Sequence, residues 1–298
     1  LSGVTIGLSM KTLSAPYVGA QMKVIEEEVK LRGMDFTYLD AQDDILRQVS
    51  NVEDLLARGI DLLILNPLDP EALVLATKSA TRYEVPVIII DSSIDHEADF
   101  VTTIQSNNLR NGELVGEWLV KQMGGERIRA CVLSGAQGNP VGKERRQGVF
   151  RGIIEQQLRS LGETRFDLQM QGWGNWTYEG GLNAMEDMIV ANPDINVLIS
   201  EQDAMALGAM QAIKEAGKKD EILIVSAADG QKEAFESIIK GEYGATGLND
   251  PVLIGKRAVE IAVQILSGNT DFPQVLYTPA ACISPENVKK YYDPNSIF

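Results

Sequence analysis

A chain of 298 residues is about twice the commonest domain size, and 44% hydrophobic against 23% charged residues is the balance of a chain that buries a proper core. A formal charge of −15 argues against nucleic acid and anionic membrane as partners, because phosphate binding requires clustered Lys and Arg, and the one short basic cluster, Lys143-Glu144-Arg145-Arg146, contains an acid. No apolar run approaches the roughly 20 residues needed to cross a bilayer.

Residues 4–10 predict a strand, and residues 16–31 a helix ending at Gly33. A second strand follows at 36–39, then a helix through Ile45, Val49, Val52, Leu55 and Leu56 to Gly59. Asp61-Leu62-Leu63-Ile64-Leu65 is a continuous apolar run of the kind buried on both faces of a parallel sheet. A helix is expected to start after Asp69-Pro70, with proline in its first turn, and Val85-Pro86-Val87-Ile88-Ile89-Ile90 is the next strand. The pattern then restarts, with strands at 128–133, 166–170, 197–199 and 222–225 and helices at 142–161, 178–190 and 203–216. Late in the chain Val252, Ile254, Gly255, Ala258, Ile261, Ala262 and Ile265 trace a helical apolar stripe. Strands alternating with helices throughout mean α/β architecture with parallel sheets, and two series mean two doubly wound parallel-sheet lobes with a ligand cleft between them.

In such a fold the functional groups sit on the loops after the strands. The first series offers Lys11 to Tyr17, then Asn66-Pro67-Leu68-Asp69 and Asp91-Ser92-Ser93. The second offers residues 135–145, Trp173-Gly174-Asn175-Trp176, Glu201-Gln202-Asp203, Ala228-Asp229-Gly230 and Leu248-Asn249-Asp250-Pro251. Polar, turn-forming Gln105-Ser106-Asn107-Asn108 lies where the chain passes between the series. Carboxylates, amides and the arginine fork match vicinal hydroxyls, and aromatic rings match the C–H face of a sugar. Plainer roles compete: Asp203 is a natural helix N-cap, Trp173 a packing residue, and Lys11 a partner for a nearby carboxylate.

Two cysteines, Cys131 and Cys282, have no metal-binding or redox spacing; buried free thiols or one disulfide are both open. His96, the single histidine, sits in an acidic loop. Asp91 and Asp229 could be imagined as a glycosidase pair, but no nucleophile–base motif, metal cluster or phosphate loop accompanies them. No cofactor is expected.

Over essentially its whole length the sequence resembles the periplasmic sugar-binding proteins of the ribose/allose-binding type, the type I periplasmic binding proteins that feed ABC transporters. The resemblance lies in Lys11-Thr12-Leu13-Ser14-Ala15-Pro16-Tyr17, Asn51-Val52-Glu53-Asp54-Leu55, Asn66-Pro67-Leu68-Asp69 and Pro86-Val87-Ile88-Ile89-Ile90-Asp91. It continues in Gln202-Asp203-Ala204-Met205-Ala206-Leu207-Gly208-Ala209 and Asp229-Gly230. It implies stacking roles for Tyr17 and Trp176, and charged ligand contacts at Asp91, Arg145 and Asp229. Ser106 and Asn107 match a polar crossing between lobes, and Asn249 another. Lys11 stands where ribose binders carry a small hydroxyl residue and resembles the allose-binding branch. Ser92 replaces an arginine, Gln202 a shorter amide, Asn249 a longer one and Val18 a second aromatic, which favours a hexose or polyol over ribose.

The resemblance further implies a three-segment hinge near Gln105, Asn249 and Thr278. The lobes are then 1–106 plus 249–278, and 107–248 plus 279–298. A periplasmic, monomeric, non-enzymatic protein that closes on a monosaccharide or sugar alcohol and delivers it to an ABC permease is the implied function. A start at Leu1 suits removal of a signal peptide, and equally a sequence trimmed at its start. A lipid anchor is compatible with the same reading. A sensory ectodomain and, further off, a carbohydrate-active enzyme are the alternatives. A LacI-type repressor, whose effector domain shares the fold, is disfavoured by the charge and by the lack of a helix-turn-helix before Leu1.

Overall fold

Apolar runs of four to seven residues, spaced by amphipathic segments, build parallel sheets covered by helices. The computed structural model describes residues 2–298. The first series comprises β1 (Thr5–Met10), α1 (Pro16–Leu31), β2 (Asp35–Asp40), α2 (Ile45–Ala57), β3 (Leu62–Leu65), α3 (Val74–Arg82), β4 (Val87–Ile90) and β5 (Thr102–Ser106). The second comprises α4 (Asn108–Met123), β6 (Ile128–Ser134), α5 (Pro140–Leu161), β7 (Phe166–Trp173), α6 (Tyr178–Ala191), β8 (Val197–Ser200), α7 (Asp203–Glu215), β9 (Leu223–Asp229), α8 (Lys232–Ile239) and β10 (Ala245–Leu248). Helix α9 (Pro251–Leu266), strands β11 (Val275–Thr278) and β12 (Cys282–Ile283), and a 3-10 turn at Val288–Lys290 follow.

These elements form two units. The first takes the chain up to Ser106, Asp250–Thr278 and Ile297–Phe298; the second takes Asn107–Asn249 and Pro279–Ser296. The boundaries depart from expectation at two places. Asn249 belongs to the second unit, where its amide donates to Asp229. Ile297–Phe298 return to the first unit, where Phe298 meets Tyr17 edge to face.

The first unit contains a sheet in the order β11-β5-β4-β3-β1-β2, parallel throughout. Alternate residues of one strand feed opposite cores, as the two-residue period of a strand requires. Leu62, Ile64, Ile88 and Ile90 pack with Ile25 and Val29 of α1 and Ile254 and Ile261 of α9. Leu63, Leu65, Val87 and Ile89 pack with Val52, Leu55 and Leu56 of α2 and Ala76 and Ala80 of α3. Burying both faces explains why these strands carry unbroken aliphatic runs.

The second unit repeats the plan with the order β12-β10-β9-β8-β6-β7, in which only β12 runs antiparallel to its neighbour. Cys131, Leu133, Leu198 and Ile224 face one core; Ala130, Val132, Val197, Ile199 and Val225 face the other. On the latter side α4 and α5 cross with their backbones touching. A Cβ on Gly116 would lie 2.4 Å from the Val149 carbonyl oxygen, and one on Gly148 would lie 2.3 Å from that of Leu109. Small residues at this crossing bring Asn108 of α4 within reach of Arg145 of α5.

Several expectations are corrected. The helix after Pro70 begins only at Val74; Asp69 instead caps a turn, accepting from the backbone N–H of Glu71 and Ala72. The open disulfide is excluded, because Cys131 on β6 and Cys282 on β12 lie four strand spacings apart and both thiols are free. At about 4.8 Å per spacing that is roughly 19 Å, well beyond the ~7 Å Cα reach of a bridge. Asp203 is not the N-cap of α7, a position held by Gln202; its carboxylate is drawn into the structure of the second unit, as described below.

Candidate functional site

In each sheet the second strand of the series is added on one side of the first and the third on the other: β1 lies between β2 and β3, and β6 between β7 and β8. The connections diverge at such a switch point and leave an opening at the carboxyl ends of the strands. Several of the residues singled out in the sequence follow these strands, and each unit carries its own set.

In the first unit, Lys11 follows β1, Asn66 follows β3, and Asp91 and Ser92 follow β4. Asp91 has a left-handed backbone, φ 65°, held by its N–H donating to the Ile104 carbonyl at 2.9 Å. Its carboxylate oxygens face different donors: the Tyr17 hydroxyl at 2.8 Å from Oδ1, and the Lys11 ammonium 3.4 Å from Oδ2. The ammonium also lies 3.4 Å from the Ser92 hydroxyl, which donates onward to Asn66 Oδ1 at 3.3 Å. Asn66 is fully buried and passes the network to Gln21 of α1 through its amide, 3.1 Å away. Lys11 and Asp91 keep 26% and 13% of their side chains exposed, so the set is partly open. Ser106, buried at the end of β5, lies beside Thr278 of β11, their hydroxyl oxygens 3.5 Å apart. The structure thus brings Lys11, Tyr17, Asp91 and Ser92 together, with Ser106 on the neighbouring crossing strand.

In the second unit, Arg145 on the first turns of α5 is the hub. Its guanidinium donates to Asn108 Oδ1 at 3.0 Å, the Glu201 carbonyl at 3.1 Å and Asp229 Oδ1 at 3.1 Å. Asp229, the last residue of β9, also accepts from the Asn249 amide at 2.8 Å. Arg145 and Asp229 each keep only 7% of the side chain exposed, so this pair is largely desolvated and its geometry, with several fixed donors, meets the condition under which a buried pair persists. Trp176 caps the pair, with the guanidinium carbon 5.9 Å from its ring centroid. Two successive left-handed residues, Asn175 at φ 50° and Trp176 at φ 62°, turn the loop back toward Gly135. A Cβ at Gly135 would lie 2.0 Å from the indole, so only glycine leaves room for the ring.

Gln202 is half-buried at the start of α7, and its side-chain oxygen is enclosed with no hydrogen-bond partner. Asn107 is spent differently: its oxygen accepts from the Arg110 N–H at 3.0 Å and caps α4. Trp173 ends edge strand β7 and is 38% exposed.

Sequence reasoning passed over Asn108 and Glu201 as individual side chains. Glu201 is buried, accepting from the Gly135 N–H and the Arg146 guanidinium, each at 2.9 Å. A charged residue directly after an apolar strand was the available signal. Asp203 accepts from the N–H groups of Gly230 and Gln231 at 2.7 and 2.9 Å, from Tyr243 at 2.7 Å and from Thr246 at 2.8 Å. It therefore fixes the turn that follows Asp229. Burial against this carboxylate pushes the Tyr243 hydroxyl well above its ordinary range. His96 is an exposed loop residue beside Asp95.

Among the described residues no helix is long and apolar enough to cross a membrane, and no cluster of His, Cys, Asp and Glu could hold a metal. Residues 6–270 match the family model described as periplasmic binding protein domain. The ribose import binding protein of Bacillus subtilis is 37% identical over 264 residues, which is 89% of this chain and 82% of that protein. An ABC transporter periplasmic solute-binding protein from Actinobacillus succinogenes with bound D-allose superposes with a TM-score of 0.88 at 26% identity, covering 97% of this chain and 100% of that one. A Mycobacterium smegmatis solute-binding protein with bound glycerol gives 0.87 at 27% identity, covering 99% and 98%.

Proposed function

The chain belongs to the periplasmic binding protein family, and from that premise we propose that it captures one monosaccharide or sugar alcohol and delivers it to an ABC permease. The observation that carries this reading is one donor set present in both units. A carboxylate, a cation and an aromatic ring converge at the carboxyl ends of the strands: Asp91, Lys11 and Tyr17 in the first unit, Asp229, Arg145 and Trp176 in the second.

A hydroxyl-rich molecule loses its water on binding and must have nearly every hydroxyl paired again. Carboxylates accept from vicinal hydroxyls, and Lys11 and Arg145 donate to them. Tyr17 and Trp176 offer flat apolar faces to C–H groups. In the free protein the charged groups neutralise and orient each other, which holds them in place before ligand arrives. Lys11 adds a donor on a long arm beside Asp91, which supports a hexose or polyol over ribose. Binding shifts the protein toward its ligand-bound conformation, which a permease then reads. Asp91, Asp229 and their partners are read here as binding groups, with no chemical step. The periplasm is the compartment that suits this role.

A thermal-shift screen against pentoses, hexoses, their alditols and inositols, with calorimetry on the hits, tests the proposal. A ligand at a thousandfold excess over Kd raises stability by about 4 kcal/mol. One clear hit fixes the ligand class. Silence across the panel would remove the sugar and polyol reading.

A further inference from the structure

The first unit takes up two residues from the far end of the sequence. After Pro279–Ser296, which belong to the second unit, Ile297–Phe298 join the first. The preceding turn is held in the second unit by Lys232 donating to the Pro294 carbonyl at 2.9 Å, and by the Asn295 N–H donating to Asp293 at 2.8 Å. Phe298 is half-buried whereas Ile297 beside it is 53% exposed, so the aromatic side chain is the one the fold takes in.

Its contact is the ring of Tyr17, at 5.2 Å between centroids and 84° between planes. Tyr17 is itself fixed by its hydroxyl bond to Asp91. Its neighbour Val18 is 3% exposed and packs inside the core, so the first turn of α1 presents a single aromatic ring. An edge-to-face pair at this distance is a rigid apolar corner next to a carboxylate and an ammonium. Sugars and cyclitols combine hydroxyls around their rim with a C–H face, and a second ring set at a right angle to the first encloses such a face better than one ring alone.

We infer that Phe298 is a specificity-determining residue of the binding site, a second aromatic wall that the far end of the sequence supplies to the first unit beside Tyr17 and Asp91. The inference rests on the proposed capture of a monosaccharide or sugar alcohol. It goes beyond that reading by assigning a contact to a segment outside the strand-end loops, and by predicting a preference for cyclic ligands over open-chain alditols of equal carbon number.

The test is calorimetric titration of the full chain with the best cyclic hit of the panel and with the matching open-chain alditol. Phe298→Ala and Phe298→Leu, which both remove the ring, are expected to weaken the cyclic ligand about tenfold and the alditol much less. Phe298→Tyr, which keeps the ring, and Ile297→Ala, which changes an exposed neighbour, are expected to stay within about twofold of the parent. The leucine variant keeps an apolar side chain and so separates loss of the ring from loss of packing. Unchanged binding in both ring-less variants, with the parent binding normally, overturns the inference alone. Equal weakening of both ligands assigns Phe298 a structural role and also overturns it. Tighter binding without the ring makes Phe298 a plug, contrary to the proposal. A parent chain that binds nothing in the panel overturns the sugar reading and this inference with it.

Discussion

Asp203 organises the second unit's site without belonging to it, and replacing it gives the sharpest stability prediction. Its carboxylate is fully buried and receives two backbone N–H groups and two hydroxyls, from Gly230, Gln231, Tyr243 and Thr246. Hydrogen bonds to a charged acceptor contribute about 1.5–3 kcal/mol each, and a buried donor left without a partner costs about 1–3 kcal/mol. Asp203→Ala strands the Tyr243 hydroxyl, leaves the Thr246 hydroxyl only its 3.4 Å bond to the Gly247 carbonyl, and frees the turn after Asp229. These losses overlap, so a total of about 4 kcal/mol is expected, a large share of the ~5–15 kcal/mol that stabilises a typical protein. Tyr243→Phe removes one donor and leaves the carboxylate three, so about 1–2 kcal/mol is expected. Urea denaturation followed by circular dichroism measures both, with the slope m unchanged if the native state stays compact. A cost below about 1 kcal/mol for Asp203→Ala would refute the account of this carboxylate as a structural anchor.

Arg145→Ala removes the guanidinium facing a buried Asp229, and a loss of about 3–5 kcal/mol in denaturation midpoint analysis is expected. Gly148→Ala drives a Cβ to 2.3 Å from the Leu109 carbonyl oxygen; separation of α4 and α5 should cost about 1–3 kcal/mol and loosen the Asn108–Arg145 bond. Desolvation pushes the Cys131 and Cys282 thiols up to about 11 and about 12. Both should stay neutral at pH 8, and the fully buried Cys131 should stay unreactive toward a thiol reagent until the protein unfolds. Rapid labelling of Cys131 in the folded protein would contradict the burial argument.

Much of the fold was legible because buried parallel strands need aliphatic residues on both faces. Leu62–Leu65 and Val87–Ile90 could hardly be anything else. Strand β5 was missed because Thr102, Thr103, Gln105 and Ser106 are polar, although all are buried; the Thr102 hydroxyl, for example, donates to the Pro273 carbonyl across the chain. Strand β10, Ala-Thr-Gly-Leu, is short and built of small residues, which leaves no hydrophobic signal.

The site was legible to the extent that function follows strand ends. Lys11 and Asp91 directly follow strands and Asp229 ends one, whereas Arg145 projects from the first turns of α5, and their pairings emerge only in three dimensions. Which of several polar neighbours points inward was not readable. Asn107 turns to cap a helix while Asn108 meets Arg145, and Asp203 looks like a cap in sequence but binds four donors from elsewhere. Phe298 lies beyond any local rule, since its partner Tyr17 is near the opposite end of the sequence.

The most direct test of the central claim is calorimetric titration of the panel's best ligand into the parent chain and into Asp91→Ala and Asp229→Ala. Each substitution removes charge-assisted bonds to ligand hydroxyls and is expected to weaken binding by about a hundredfold, with the fold retained by circular dichroism. Affinity within about twofold of the parent in both variants would contradict the claim that these carboxylates hold the ligand.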